Sequence, residues 1–180
     1  MNLTEKFLTS VIENINTPST HLKSVGDDLT NIGVTYCYIG GVALAPHNFS
    51  RYTEDIDILI SKDSLPLLSE LHGKGYTLRP GSSLNMYLYT PSKKIPIDFY
   101  VEADIWENIL IPNPALLRVK INGVWFISLP HLIEFKLNAG RPQDHADVIA
   151  LIKANELTSS FVAKLDPNFK LDFLDLLSEI

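Results

Sequence analysis

The run Asp55-Ile56-Asp57-Ile58-Leu59-Ile60 constrains this chain more than any other feature. β-Branched apolar residues at 56, 58 and 60, with carboxylates at 55 and 57, give the period-two pattern of a half-buried strand. Residues two apart in a strand point to the same face, so Asp55 and Asp57 stand together with Cα atoms roughly 6.5 Å apart. Ile56, Ile58 and Ile60 turn the opposite face to a core. A second strand over 95–101 alternates likewise, setting Ile95, Ile97, Phe99 and Val101 against Pro96, Asp98 and Tyr100. Asp98 is then the third carboxylate on a less apolar face. Two such charges about 5 Å apart repel by roughly 3 kcal/mol at an effective dielectric near 20. Gathering three requires a proton or a cation to neutralise them, and hard oxygen ligands of this type favour Mg²⁺ or Mn²⁺ over zinc.

Upstream, 34–39 is short, aromatic and β-branched, and reads as a strand broken by Gly40-Gly41. Residues 42–47 read as a short helix. Glycines between a strand and a helix let backbone N–H groups approach a phosphate, and a helix N-terminus adds positive potential. Amphipathic helices are expected over 3–15 and, capped by Ser19 or Thr20, up to Gly33 with the stripe Leu22, Val25, Leu29 and Ile32. Asp63 or Ser64 is expected to cap a helix carrying Leu65, Leu68 and Leu71. Strands are expected over 76–78 and 84–89, and 116–121 and 124–126 flank the hairpin signal Asn122-Gly123. Ser128 opens a helix to Ala139 with Gly140 as its stop, Pro142 opens another towards Ala154, and 171–180 form an amphipathic end. These patterns make the chain α/β (α+β): a small mixed sheet flanked by helices, with a helical C-terminal region.

Taken together, Ile39-Gly40-Gly41, Arg51-Tyr52-Thr53-Glu54-Asp55-Ile56-Asp57-Ile58 and Ile95-Pro96-Ile97-Asp98-Phe99 resemble the nucleotidyltransferase superfamily, whose fold is shared with DNA polymerase beta and with aminoglycoside and lincosamide nucleotidyltransferases. The Arg-x-Thr-x-Asp-x-Asp form looks most like bacterial stand-alone members, including toxin components of abortive-infection toxin–antitoxin pairs. A weaker resemblance extends to Leu132-Ile133-Glu134-Phe135-Lys136 and Arg141-Pro142-Gln143-Asp144-His145-Ala146-Asp147. It implies a nucleotidyltransferase core over 1–101, with its N-terminal helices, joined in one compact unit to a hairpin and helical region over 102–180. It also implies transfer of a nucleoside monophosphate from an NTP such as ATP to a hydroxyl or phosphate acceptor, with release of pyrophosphate. Asp55, Asp57 and Asp98 would bind two divalent cations, Mg²⁺ or Mn²⁺, with Asp98 favouring deprotonation of the attacking hydroxyl. Gly40, Gly41, Arg51, Thr53, Lys136 and Arg141 become the candidate nucleotide-binding residues. Lys136 is expected at the edge of the core-facing stripe of its helix (Leu132, Phe135 and Ala139), reaching a phosphate and adding little to stability. Many members carry Ser where Gly41 stands.

Each residue also has a plainer account. Asp55, Asp57 and Asp98 can be solvated strand carboxylates, and Gly40-Gly41 a tight turn. Arg51 can pair with Glu54, and Asp147 with Arg141. Asp144 suits the first turn of a helix through the macrodipole alone. A catalytically inactive nucleotide-binding or regulatory module, perhaps within a toxin–antitoxin pair, is the alternative function. Asp-x-Asp also occurs as a glycosyltransferase manganese site, which the short chain and the upstream Gly-Gly argue against.

The 180 residues carry 15 basic and 21 acidic side chains, a net charge of −6, which is not the basic excess of a protein gripping long nucleic acid. The acceptor is left open among tRNA, protein and small molecule, and a protein partner or homodimer is admitted. One cysteine, Cys37, excludes an intramolecular disulfide and suits a reducing cytosol. No run approaches the roughly 18 apolar residues of a membrane span, so a soluble, cytoplasmic protein without a membrane partner is expected.

Overall fold

The period-two segments assemble into one seven-stranded mixed sheet. The computed structural model describes residues 19–82, 84–89, 94–106 and 109–180, and the helix expected over 3–15 lies outside them. The strands are β1 (Tyr36–Tyr38), β2 (Ile56–Ile60), β3 (Tyr76–Leu78), β4 (Met86–Tyr89), β5 (Lys94–Val101), β6 (Ile105–Trp106), β7 (Ile109–Leu110), β8 (Arg118–Ile121) and β9 (Val124–Ile127). The helices are α1 (Ser19–Asn31), α2 (Pro114–Leu117), α3 (Leu129–Ala139), α4 (Pro142–Ala154) and α5 (Lys170–Ser178). The large sheet runs β3-β4-β5-β2-β1-β9-β8, while β6 pairs with β7 apart from it. Within it, β2–β5 and β1–β9 are parallel and the other neighbours antiparallel.

Ile56, Ile58 and Ile60 are fully buried, as their alternation predicts. Each such side chain contributes roughly 1.5–3 kcal/mol of transfer free energy. Leu59, on the other face of β2, is buried too. That face is therefore polar only towards the start of the strand, where Asp57 lies half-buried. In β5 the buried residues Ile95, Ile97, Phe99 and Val101 alternate with half-buried Pro96, Asp98 and Tyr100. Helix α1 buries Val25 and Leu29. It is pinned to the sheet by hydrogen bonds from the Tyr38 hydroxyl to the Leu22 carbonyl (2.6 Å) and from the Tyr76 hydroxyl to Asp28 Oδ2 (2.8 Å). The Asn122-Gly123 turn closes β8–β9 with φ of 50° and 85°, as a two-residue hairpin requires.

Four local expectations are corrected. Residues 42–47 form no α-helix; 3₁₀ turns span Gly40–Ala43 and Ala45–His47, because Pro46 lacks the N–H that a continuing helix needs. Lys62–Leu71 is likewise a 3₁₀ run with Pro66 inside it. Ser64 caps nothing there, since its hydroxyl accepts from the Thr35 N–H at 2.9 Å. Leu116 and Leu117 belong to α2 rather than a strand, because Asn113 Oδ1 accepts from the Ala115 N–H at 2.9 Å and Pro114 starts the turn. Ser128 precedes α3 without capping it; its hydroxyl hydrogen-bonds His131 Nδ1 at 2.8 Å. Cys37 is fully buried in β1, where burial pushes its thiol up to about 12. Among the described residues no helix is long and apolar enough to cross a membrane.

Candidate functional site

Parallel pairing of β2 with β5 sets Asp57 directly beside Asp98. Asp55 precedes β2 by one residue. One carboxylate oxygen from each of the three lies within 4.8 Å of the others, and all three residues are half-buried. Asp57 is pushed up to about 7, first by burial and then by the charges of Asp55 and Asp98. Arg141 and Lys136 pull it the other way without prevailing. Pro96 is tolerated in a central strand because pairing with β2 begins only at Ile97.

The glycine turn is fitted to this cluster. Gly40 has φ of 62°, and a Cβ there would stand 2.0 Å from Asp57 Oδ2. Only glycine allows both the left-handed backbone and that approach. A Cβ at Gly41 would lie 2.9 Å from both Cβ and Oγ1 of Thr53. Thr53 Oγ1 in turn donates to Asp55 Oδ1 at 2.9 Å. Thr53 thus fills the space that a side chain at 41 would need, and orients Asp55. The donor set is all oxygen, with a glycine backbone beside it, and fits a hard divalent cation.

The candidate cations gather around two acidic residues of α4, Asp144 and Asp147. Asp147 is fully buried and accepts from Arg51 Nε (2.8 Å), Arg51 Nη2 (3.0 Å), Lys136 Nζ (2.5 Å) and Gln143 Nε2 (3.1 Å). Burial works to raise its carboxyl, but the hydrogen bonds from Arg51 and Lys136 outweigh it and hold the group below its ordinary value. Lys136 also donates to buried Asp144 (3.3 Å), which binds the guanidinium of Arg141. Lys136 is only 3% exposed. It does not sit at the solvent edge of the helix's core face as expected, because two acidic residues of α4 draw its ammonium inward. Arg51 pairs with Asp147 rather than Glu54, and Arg141 with Asp144 rather than Asp147. The Arg141 side chain is 70% exposed and is the most accessible of these three cations.

Two neighbours of the carboxylates were not among the candidate site residues. Tyr100 shares the face of Asp98, and its hydroxyl is pushed up to about 12 by burial and then by Asp57, Asp98 and Asp55. Its position two residues beyond Asp98 carried that signal. Arg79, between β3 and β4, forms an ion pair with Asp98. No local pattern links residues 79 and 98; the sheet brings them together.

No protein-family profile matches the chain, and no curated protein matches its sequence. Solved structures do match its architecture. An antigenic nucleotidyltransferase-like protein from Paracoccidioides brasiliensis superposes with a TM-score of 0.58 at 15% identity, over 89% of this chain and 85% of the other. The fold is that of nucleotidyltransferase-like proteins. Candidate nucleotidyltransferases from H. pylori (TM-score 0.53, 15% identity, 89% and 78% covered) and Thermotoga maritima (0.51, 16%, 74% and 91%) share it. At such identities the nucleotidyltransferase-like fold is common ground; a reaction must be argued from the residues themselves.

Proposed function

We propose that the chain is a metal-dependent nucleotidyltransferase that moves a nucleoside monophosphate from an NTP to a hydroxyl or phosphate acceptor. One observation carries this reading: three carboxylates, on or just before two adjacent strands, converge within 4.8 Å beside a glycine whose missing side chain keeps the approach open. In the reaction the acceptor oxygen, which for a hydroxyl gives up its proton to Asp98 or to solvent, bonds to the α-phosphorus. The bond from that phosphorus to the bridging oxygen breaks, and its electron pair leaves with pyrophosphate. Asp55 and Asp57 would hold a divalent ion with the triphosphate, and Asp98 would complete the set on the acceptor side. When bound, such ions neutralise phosphate charge and activate the attacking oxygen. Thr53 keeps Asp55 turned inward. The exposed Arg141, just before α4, lies near enough to act electrostatically on Asp57, and its guanidinium would offer phosphate donors. Lys136 and Arg51 act from behind, fixing Asp147 and lending positive charge.

One observation favours a second reading, a nucleotide-binding module without turnover, because Asp98 is ion-paired to Arg79. Incubation with each of the four α-labelled NTPs, Mg²⁺ and a cell extract separates the two. Label on an acceptor, with matching pyrophosphate release, is expected for the protein and not for Asp57→Asn. Nucleotide binding without label transfer or pyrophosphate supports the second reading. The acceptor carrying the label would also test the toxin–antitoxin resemblance.

A further inference from the structure

Arg79 holds Asp98 from a fixed backbone. Its N–H donates to the Asn85 carbonyl at 2.8 Å and its own carbonyl accepts from Ser82 N–H at 3.0 Å. Asn85 Oδ1 accepts from the Phe99 N–H at 3.2 Å, clipping the β3–β4 hairpin to β5. The hairpin is therefore held by backbone pairing, with β3 laddered to β4 and β4 to β5. The ion pair is not needed for that. The Arg79 and Asp98 side chains are half-buried, 31% and 23% exposed, so solvent still screens part of their attraction. The guanidinium also lies 5.4 Å from the Tyr87 ring, a support independent of Asp98. Among the described residues, Asp98 is the one member of the carboxylate trio that is ion-paired. A cation of this chain thus occupies one oxygen of a carboxylate that a divalent ion needs, through a contact that the backbone ladder of the hairpin does not depend on.

We propose that Arg79 is a displaceable counter-cation, holding Asp98 in the metal-free protein and yielding it when a divalent ion enters. This rests on the reading of the three carboxylates as a metal centre. Neither Asp55 nor Asp57 has an ion-pair partner among the described residues, while an ion that takes Asp98 Oδ1 must displace Arg79 from it. Arg79 accordingly sets how tightly that side takes metal. Once released, the guanidinium keeps its place against Tyr87, beside the site and free for an anionic group.

The test is Mn²⁺ binding followed by electron paramagnetic resonance, with no nucleotide, on wild type, Asp57→Asn, Arg79→Met, Asp98→Asn and the Arg79→Met/Asp98→Asn double variant. Arg79→Met is expected to bind Mn²⁺ about tenfold more tightly, since the lost charge acts on a divalent ion a few ångströms away. In the Asp98→Asn background the same substitution should change affinity by less than about twofold, because the contact it removes is already gone. Equal affinity in wild type and Arg79→Met, with binding still lost in Asp57→Asn, overturns the proposal and leaves the metal centre intact. An equal gain in both backgrounds also overturns it, reducing Arg79 to a general charge. No Mn²⁺ binding by any of these proteins removes the metal reading and this proposal together. Wild type supplies a second readout if Arg79→Met fails to fold. Mg²⁺ should shift the Arg79 Nε–Hε resonance, and an unmoved resonance at saturating Mg²⁺ contradicts displacement.

Discussion

Replacing Asp57 by Asn should stabilise the metal-free protein, by an amount that grows as pH rises from about 4 and levels off above about 7. The Asp57 carboxyl is pushed up to about 7 in the folded chain, against about 3.9 in an unfolded one. A raised folded value means that the group's full contribution is present below about pH 4 and is lost as pH rises through 7. The shift of about three units corresponds to roughly 4 kcal/mol at pH 8. Solvent reaching the half-buried carboxyl screens part of it, leaving about 2–4 kcal/mol. For a chain of this size that raises the melting temperature of Asp57→Asn over wild type by roughly 5–15 °C. The assay is thermal and urea unfolding in excess EDTA at pH 4, 6 and 8. The gap should be near zero at pH 4 and open towards pH 8. Mg²⁺ should then narrow it by stabilising wild type alone. A gap that is absent at pH 8, or equally large at pH 4, refutes the account of three crowded carboxylates.

Lys136→Ala should destabilise the metal-free protein by about 3–5 kcal/mol, because it strips a buried ammonium from two buried carboxylates; a melting temperature equal to that of wild type contradicts this. Gly40→Ala should cost about 1–3 kcal/mol through left-handed strain and the clash with Asp57. It should also weaken Mn²⁺ binding at least tenfold by calorimetry, and unchanged affinity speaks against the close approach. Mg²⁺ with an NTP should raise the melting temperature more than either alone, since both share ligands; equal protection by the NTP in EDTA rejects a shared site.

The carboxylates were legible because strand alternation is a local rule. Residues two apart share a face, so Asp55 with Asp57, and Asp98 with Tyr100, follow from spacing alone. Their meeting was not local: the parallel register that sets Asp57 beside Asp98 depends on which strands become neighbours. The pairings of Arg51 with Asp147 and Arg79 with Asp98 span 96 and 19 residues and leave no periodic trace. Nearest-neighbour reasoning therefore chose Glu54 for Arg51 and missed Arg79. The helices misread at 42–47 and 62–71 failed for a shorter-range reason, a proline inside each that a hydrophobic stripe does not register.

Asp147 is where the two halves of the chain are stitched. All three site carboxylates and both turn glycines precede residue 102, so a fragment ending there has every metal-facing group of the proposed site. Yet the residue that anchors Arg51, and with it the loop leading into Thr53 and Asp55, arrives only with α4. The same fragment lacks β9, which leaves β1 as an unprotected sheet edge just before the glycine turn. Cotranslationally, then, the acidic trio is synthesised long before its scaffold. Nascent chains would pass through a stage in which the carboxylates exist but nothing yet holds the Arg51 loop against them.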